Sequence, residues 1–180
     1  MARGGLSWLR IATMNEREIS PFGEPLTIVT KPAGPSRRSI LVVDDDDDIR
    51  RLNAEVLAHY DYQVETAVDG AIAWELLNAK AYDLLITDQN MPKVSGVELL
   101  QKLHVAQMEL PVIMITGFYP GLEFTRRPWL QTAALLLKPY TVADLLNVVG
   151  LVLRAADRAG EREALSFEAA REPLSKRLRL

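Results

Sequence analysis

From Ser39 onward the chain alternates between short apolar runs and amphipathic stretches. Ile40-Leu41-Val42-Val43 is an apolar run with β-branched members, which predicts a strand buried on both faces. Ile49, Leu52, Val56 and Leu57 then recur at helical spacing up to His59. Residues 62–68 alternate as a strand does. A helix is expected over 71–80, with Ile72, Leu76 and Ala79 on one face, Trp74 packed on it, and Asp69-Gly70 as its opening turn. Residues 83–87 read as a second buried strand. Ser95 and Glu98 have capping-box spacing at the start of a helix over 95–105. Strands follow over 110–115 and 133–137, separated by an irregular stretch, 116–129, with room for one short helix. Thr141 caps a last amphipathic helix, 141–156, with Asp144 at its third position. Strand and helix thus alternate five times in roughly 120 residues. That pattern predicts an α/β fold, a doubly wound five-stranded parallel sheet with helices on both faces.

The flanks differ in texture. Residues 1–38 lack a sustained period and hold Pro21, Pro25, Pro32 and Pro35. They are expected to form a flexible N-terminal arm, with Leu26-Thr27-Ile28-Val29 as its one apolar patch. Residues 39–157 form the folded body, and 158–180 a tail that is partly helical or disordered. Across 180 residues the net charge is −3, but it is unevenly placed. The arm carries six basic and three acidic residues, the body nine and seventeen, the tail six and four. An acidic body repels phosphate at long range, so no nucleic-acid role is expected.

Composition removes further classes. Without cysteine there is no disulfide, thiolate metal site or cysteine nucleophile. Two histidines, His59 and His104, do not make a His-rich zinc centre, and both are expected to be solvated or partly packed. No window approaches 18 consecutive apolar residues and no secretory h-region opens the chain, so a cytoplasmic protein without membrane contact is expected.

In a doubly wound sheet, chemistry sits beyond the carboxyl ends of the strands, near the point where strand order reverses. The first strand ends Val43-Asp44-Asp45, where a dinucleotide site would need glycines. The third ends Thr87-Asp88, the fourth Ile115-Thr116 and the fifth Leu137-Lys138-Pro139. Three carboxylates, one hydroxyl and one ammonium are therefore expected in one pocket. At about 5 Å and an effective dielectric near 20, each carboxylate pair repels by roughly 3 kcal/mol. Three pairs cost on the order of 10 kcal/mol, more than one lysine cancels. Either a carboxyl is protonated or a divalent cation sits among them, and all-oxygen ligands suit Mg²⁺ or Mn²⁺. Beside a nucleophilic Asp88, these groups are the parts that phosphoryl transfer requires.

The set Ile40-Leu41-Val42-Val43-Asp44-Asp45-Asp46, Asp83-Leu84-Leu85-Ile86-Thr87-Asp88-Gln89-Asn90-Met91-Pro92, Ser95-Gly96, Pro111-Val112-Ile113-Met114-Ile115-Thr116-Gly117 and Lys138-Pro139 closely resembles response-regulator receiver domains. The motifs occur in order and cover about 39–157. The resemblance implies a flavodoxin-like (βα)5 fold with strand order 2-1-3-4-5. It implies that Asp88 is the phosphoacceptor and that the metal site comprises Asp44, Asp45, Asp88 and the backbone carbonyl of Asn90. Of these, Asp45 and the Asn90 carbonyl bind directly, and Asp44 acts mainly through water. It further implies that Thr116 and Lys138 bind the phosphoryl group and that the Lys138–Pro139 peptide is cis. The donor would be a sensor histidine kinase or histidine phosphotransfer protein, and the signal would pass by binding an unknown output protein. Self-phosphorylation and self-dephosphorylation are expected, without separate substrate turnover.

One departure stands out. Many receivers carry an aromatic switch residue three positions before the lysine, where this chain has Leu135. Phe118 and Tyr119 are candidate substitutes. Leu135 keeps open a second reading, an unphosphorylated receiver-fold adaptor. A third is a Mg²⁺-dependent phosphohydrolase with an aspartyl-phosphate intermediate. Asp44-x-Asp46 matches half of that signature, but position 48 is Asp where Thr is required. Asp46, Asp47 and Asp48 are otherwise expected to form a solvated acidic run.

Overall fold

The computed structural model describes residues 37–117 and 132–171, with side chains described through 162. Residues 1–36 of the expected arm, the short helix expected within 116–129, and Phe118 and Tyr119 lie outside the described residues. Strands β1 (Ser39–Val43), β2 (Gln63–Ala67), β3 (Leu84–Asp88), β4 (Val112–Thr116) and β5 (Ala134–Leu137) alternate with helices α1 (Asp47–His59), α2 (Gly70–Ala79), α3 (Gly96–Val105) and, after β5, α4 (Val142–Arg171). All strand pairings are parallel, in the order β2-β1-β3-β4-β5. This is the doubly wound parallel sheet that the alternation predicts, in the flavodoxin-like order that the resemblance to receiver domains implies.

The two-residue period of each central strand feeds two separate cores. Ile40, Val42, Leu84, Ile86, Ile113 and Ile115 face α1 and α4, where they meet Leu57, Leu145, Val149 and Leu153. Leu41, Val43, Leu85 and Met114 face α2 and α3, against Ala73, Leu77, Leu99 and Leu103. Both faces are covered, so β1, β3 and β4 need continuous apolar runs.

The helices depart from expectation in which stripe they bury. On α1, Leu52 is 50% exposed, while Asn53 and Leu57 are buried. Asn53 turns inward because its amide has a partner there. On α2, Ile72 faces solvent while Gly70, Ala73 and Leu77 are buried. The start of α2 lies so close to the loop after β3 that a Cβ at Gly70 would collide with the Val94 carbonyl oxygen. No larger residue than glycine fits at that first position of the helix. Trp74 is half-buried, with the Lys102 ammonium 5.5 Å from its ring centroid.

Capping residues set the entry to each helix. Asp46, expected to be solvated, is the N-cap of α1 and accepts from the amides of Asp48 (2.9 Å) and Ile49 (3.2 Å). Asp69 caps α2 through Ala71 and Ile72, both at 2.9 Å. Ser95 and Glu98 form the capping box of α3. At α4, Thr141 N–H donates to Asp144 Oδ2 (2.8 Å) and Thr141 Oγ1 accepts from Asp144 N–H (3.2 Å).

α4 does not stop at Ala156 but continues to Arg171. A 30-residue helix is about 45 Å long, whereas five-residue strands span about 17 Å, so its second half outruns the sheet. Among the described side chains its buried stripe ends at Leu153. Arg38 clips the helix at that limit, donating to Asp83 Oδ1 (2.8 Å) and pairing with Asp157. No described helix is long and apolar enough to cross a membrane.

Candidate functional site

β1 and β3 are neighbours, with Val43 in register with Thr87. The chain goes to one side after β1 and to the other after β3, so the strand order reverses between them. Asp44 and Asp88 sit at this point, 1% and 6% exposed. β4 brings buried Thr116 to the same edge, and Lys138 N–H donates to the Thr116 carbonyl (2.8 Å), which sets the lysine at the end of β5. The Lys138–Pro139 peptide is cis.

Lys138 Nζ lies 2.6 Å from Asp88 Oδ1 and 3.7 Å from Asp44 Oδ2. Asp88 Oδ2 accepts from the Asn90 backbone N–H at 2.6 Å. Asp44 Oδ1 accepts from Asp46 N–H at 2.9 Å, but its Oδ2 is buried without a hydrogen-bond partner. Arg50 donates to the Asp44 backbone carbonyl (2.8 Å) and pairs with Asp47.

Lys138 pairs with two of the three expected carboxylates, Asp88 and Asp44, while Asp45 is exposed in the turn between β1 and the α1 cap, near enough for its charge to help raise the Asp44 pKa. Among the described residues no three carboxylate or imidazole side chains close on one point. The remaining pair and the lysine still leave the pocket with a net negative charge. Burial pushes the Asp44 carboxyl above its ordinary pKa, against the opposing pull of the Asp46 amide and Lys138. Burial pulls Lys138 the other way, but the hydrogen bond to Asp88 and the charges of Asp44 and Asp88 outweigh it, and its pKa is raised. A buried anionic oxygen without a donor, in a site of oxygen ligands with excess negative charge, fits a hard dication such as Mg²⁺.

Of the residues around this pocket, Lys93, Asn53 and Tyr140 carried no readable functional signal in sequence. Lys93, at φ 63°, reaches from the loop after β3 to the buried cap Asp69 (2.6 Å), while Gly70 N–H donates to the Val94 carbonyl (3.1 Å). Asn53 Nδ2 donates to the Tyr140 hydroxyl at 2.9 Å. A Cβ at Gly96 would strike the Asp88 carbonyl oxygen, so only glycine lets α3 start this close to β3. His59 and His104 are exposed. Leu135, in register with Met114, is half-buried against the α2–α3 core.

Comparison with known proteins agrees with this geometry. The sequence profile described as response regulator receiver domain matches residues 40–150. The response regulator receiver protein CpdR of Brucella abortus is 33% identical over 119 residues, covering 66% of this chain and 99% of that protein. The sensor protein EvgS of Escherichia coli K12 is 31% identical over 157 residues; 87% of this chain is covered, but the chain spans only 13% of EvgS. The structure of the chemotaxis response regulator CheY4 of Vibrio cholerae aligns with a TM-score of 0.61 at 27% identity, covering 65% of this chain and 99% of that one. With the profile spanning most of the folded residues and the sheet order and acidic pocket in place, the chain belongs to the response regulator receiver domain family.

Proposed function

We propose that the protein is a phosphorylatable receiver of a two-component phosphorelay in the cytoplasm, with Asp88 as phosphoacceptor. The observation that carries this reading is the pairing of Asp88 with Lys138 at 2.6 Å beside a buried Asp44 oxygen that has no hydrogen-bond donor. A sensor histidine kinase or histidine phosphotransfer protein is the donor. The phosphorus–nitrogen bond of its phosphohistidine breaks as an Asp88 carboxylate oxygen bonds to phosphorus, which gives an acyl phosphate. Water later cleaves that bond and restores the carboxylate.

Asp44, Asp45, Asp88 and the Asn90 carbonyl would hold Mg²⁺ or Mn²⁺. The ion supplies positive charge against the transferring phosphoryl oxygens. Lys138 pairs with the same oxygens after transfer, and Thr116 donates its hydroxyl to them. The Asn90 backbone N–H, already on Asp88 Oδ2, orients the nucleophile. The phosphorylated form signals by binding an output protein, through a shifted conformational equilibrium at the surface built on β5 and the helices that flank it.

Incubation with Mg²⁺ and phosphoramidate or acetyl phosphate, followed by intact mass measurement, tests this. The wild type should gain one phosphoryl group and Asp88→Asn none. No gain in the wild type, with Mg²⁺ binding shown separately, would favour the silent adaptor, the reading that Leu135 supports. The phosphohydrolase reading needs a threonine at position 48, where this chain has Asp48, an exposed first-turn residue of α1, 3.3 Å from Arg51.

A further inference from the structure

Asn53 is 2% exposed and sits on the α1 face that meets the apolar core. A buried amide without a partner costs about 1–3 kcal/mol, so burying it there demands compensation. The compensation comes from Tyr140, 87 residues away in sequence: Asn53 Nδ2 donates to the phenol oxygen at 2.9 Å, and the phenol stands 3.3 Å from Asn53 Oδ1 as donor. Tyr140 packs against the same core and lies two residues past Lys138. Leucine and phenylalanine at these positions would satisfy the core without any polar group. The hydroxyl and the amide instead tie α1 to the segment that carries the lysine.

That segment, 138–141, is short and held at three points. Lys138 N–H is on the Thr116 carbonyl, Thr141 is locked in its capping box with Asp144, and the Tyr140 hydroxyl is on Asn53. The first two fix the backbone at the segment's ends. The third alone reaches across to another helix. Burial, together with the nearby charges of Asp44 and Asp88, keeps the Tyr140 phenol protonated, against the opposing pull of the Asn53 bond and Lys138. It therefore remains a donor near neutral pH.

Resting on the receiver reading above, we propose that Asn53 and Tyr140 are positioning residues for Lys138: their buried hydrogen-bonded pair sets the turn so that the lysine ammonium rests on Asp88. A displacement of about 1 Å in a charge-stabilising group slows a reaction by up to 10²-fold. Loss of this one anchor, with two others kept, should slow phosphorylation about tenfold.

The test compares wild type, Tyr140→Phe, the Asn53→Leu/Tyr140→Phe pair, Lys138→Ala and Lys138→Ala/Tyr140→Phe. Each is assayed for phosphorylation rate with phosphoramidate at saturating Mg²⁺, for urea midpoint, and for the Lys138 ammonium chemical shift by NMR at neutral pH without Mg²⁺, where the lysine is present. Tyr140→Phe should lose both rate and stability. The double replacement should recover stability, because no polar group is left unpaired, yet stay about tenfold slow, with a shifted Lys138 ammonium resonance. In the Lys138→Ala background Tyr140→Phe should add no further slowing. A double replacement as fast as wild type, an unmoved Lys138 ammonium resonance, or equal slowing without the lysine would each overturn the proposal. If Asn53→Leu prevents folding, the Lys138→Ala background decides. If the wild type itself takes no phosphoryl group, the receiver reading fails, and the Lys138 ammonium resonance still tests the positioning.

Discussion

Lys138 Nζ is 2.6 Å from Asp88 Oδ1, so the only pocket cation among the described residues is committed to the proposed nucleophile, while Asp44 sees the same charge from 3.7 Å. Replacing Lys138 with Met leaves two facing carboxylates. Stability in chelator should fall, and Mg²⁺ should bind roughly tenfold or more tightly, because a unit charge at about 4 Å counts for several kcal/mol at an effective dielectric near 20. Calorimetric titration with Mg²⁺ checks this; weaker binding would show that Lys138 does not compete with the cation.

Asp44 has a raised pKa because it is buried. A carboxyl whose folded-state pKa lies above its unfolded value contributes stability while protonated and loses it as the pH rises through the folded value. Near neutral pH the ionised group therefore opposes folding. Asp44→Asn should stabilise the protein at pH 7 by about 1 kcal/mol and abolish its stabilisation by Mg²⁺. Urea unfolding with and without Mg²⁺ separates the two effects.

Asp69 titrates with the opposite sign. The Lys93 ammonium, then the Ile72 and Ala71 amides, hold its carboxyl below the usual range. Its contribution is present above the unfolded value near 4 and is lost as the pH falls through the folded one. Asp69→Asn should make stability less dependent on pH below about 4, while Asp69→Ala should cost about 1 kcal/mol at pH 7 through loss of the cap. Denaturation at pH 7 and pH 3 measures both.

Gly96→Ala places a Cβ against the Asp88 carbonyl oxygen. It should cost about 1–3 kcal/mol and slow phosphorylation, since the strain acts on the residue that carries the nucleophile. A variant with wild-type thermal midpoint and rate would mean that α3 shifts without disturbing Asp88.

Leu135→Tyr should leave phosphorylation unchanged. The side chain packs against the α2–α3 core, away from Asp88 and Lys138. A loss of phosphoryl gain by intact mass would contradict this separation between chemistry and readout.

The sequence by itself determined what depends on near neighbours. The β-branched apolar runs required strands covered on both faces, the Ser95–Glu98 and Thr141–Asp144 spacings marked helix starts, and five alternations of strand and helix left one sheet type. Motif order also placed Asp44, Asp88, Thr116 and Lys138 at strand ends, where a parallel sheet gathers them. Tertiary structure decided the rest. It turned Asp45 to solvent and gave Asp46 to the α1 amides, although five consecutive aspartates read alike along the chain. It buried Asn53 in place of Leu52, because the partner that makes an inward amide tolerable lies 87 residues away. It joined Asp69 to Lys93 across 24 residues and Arg38 to Asp157 across 119. Periodicity records how a segment meets an apolar surface, but pairings between polar groups on different crossovers exist only once the crossovers are packed.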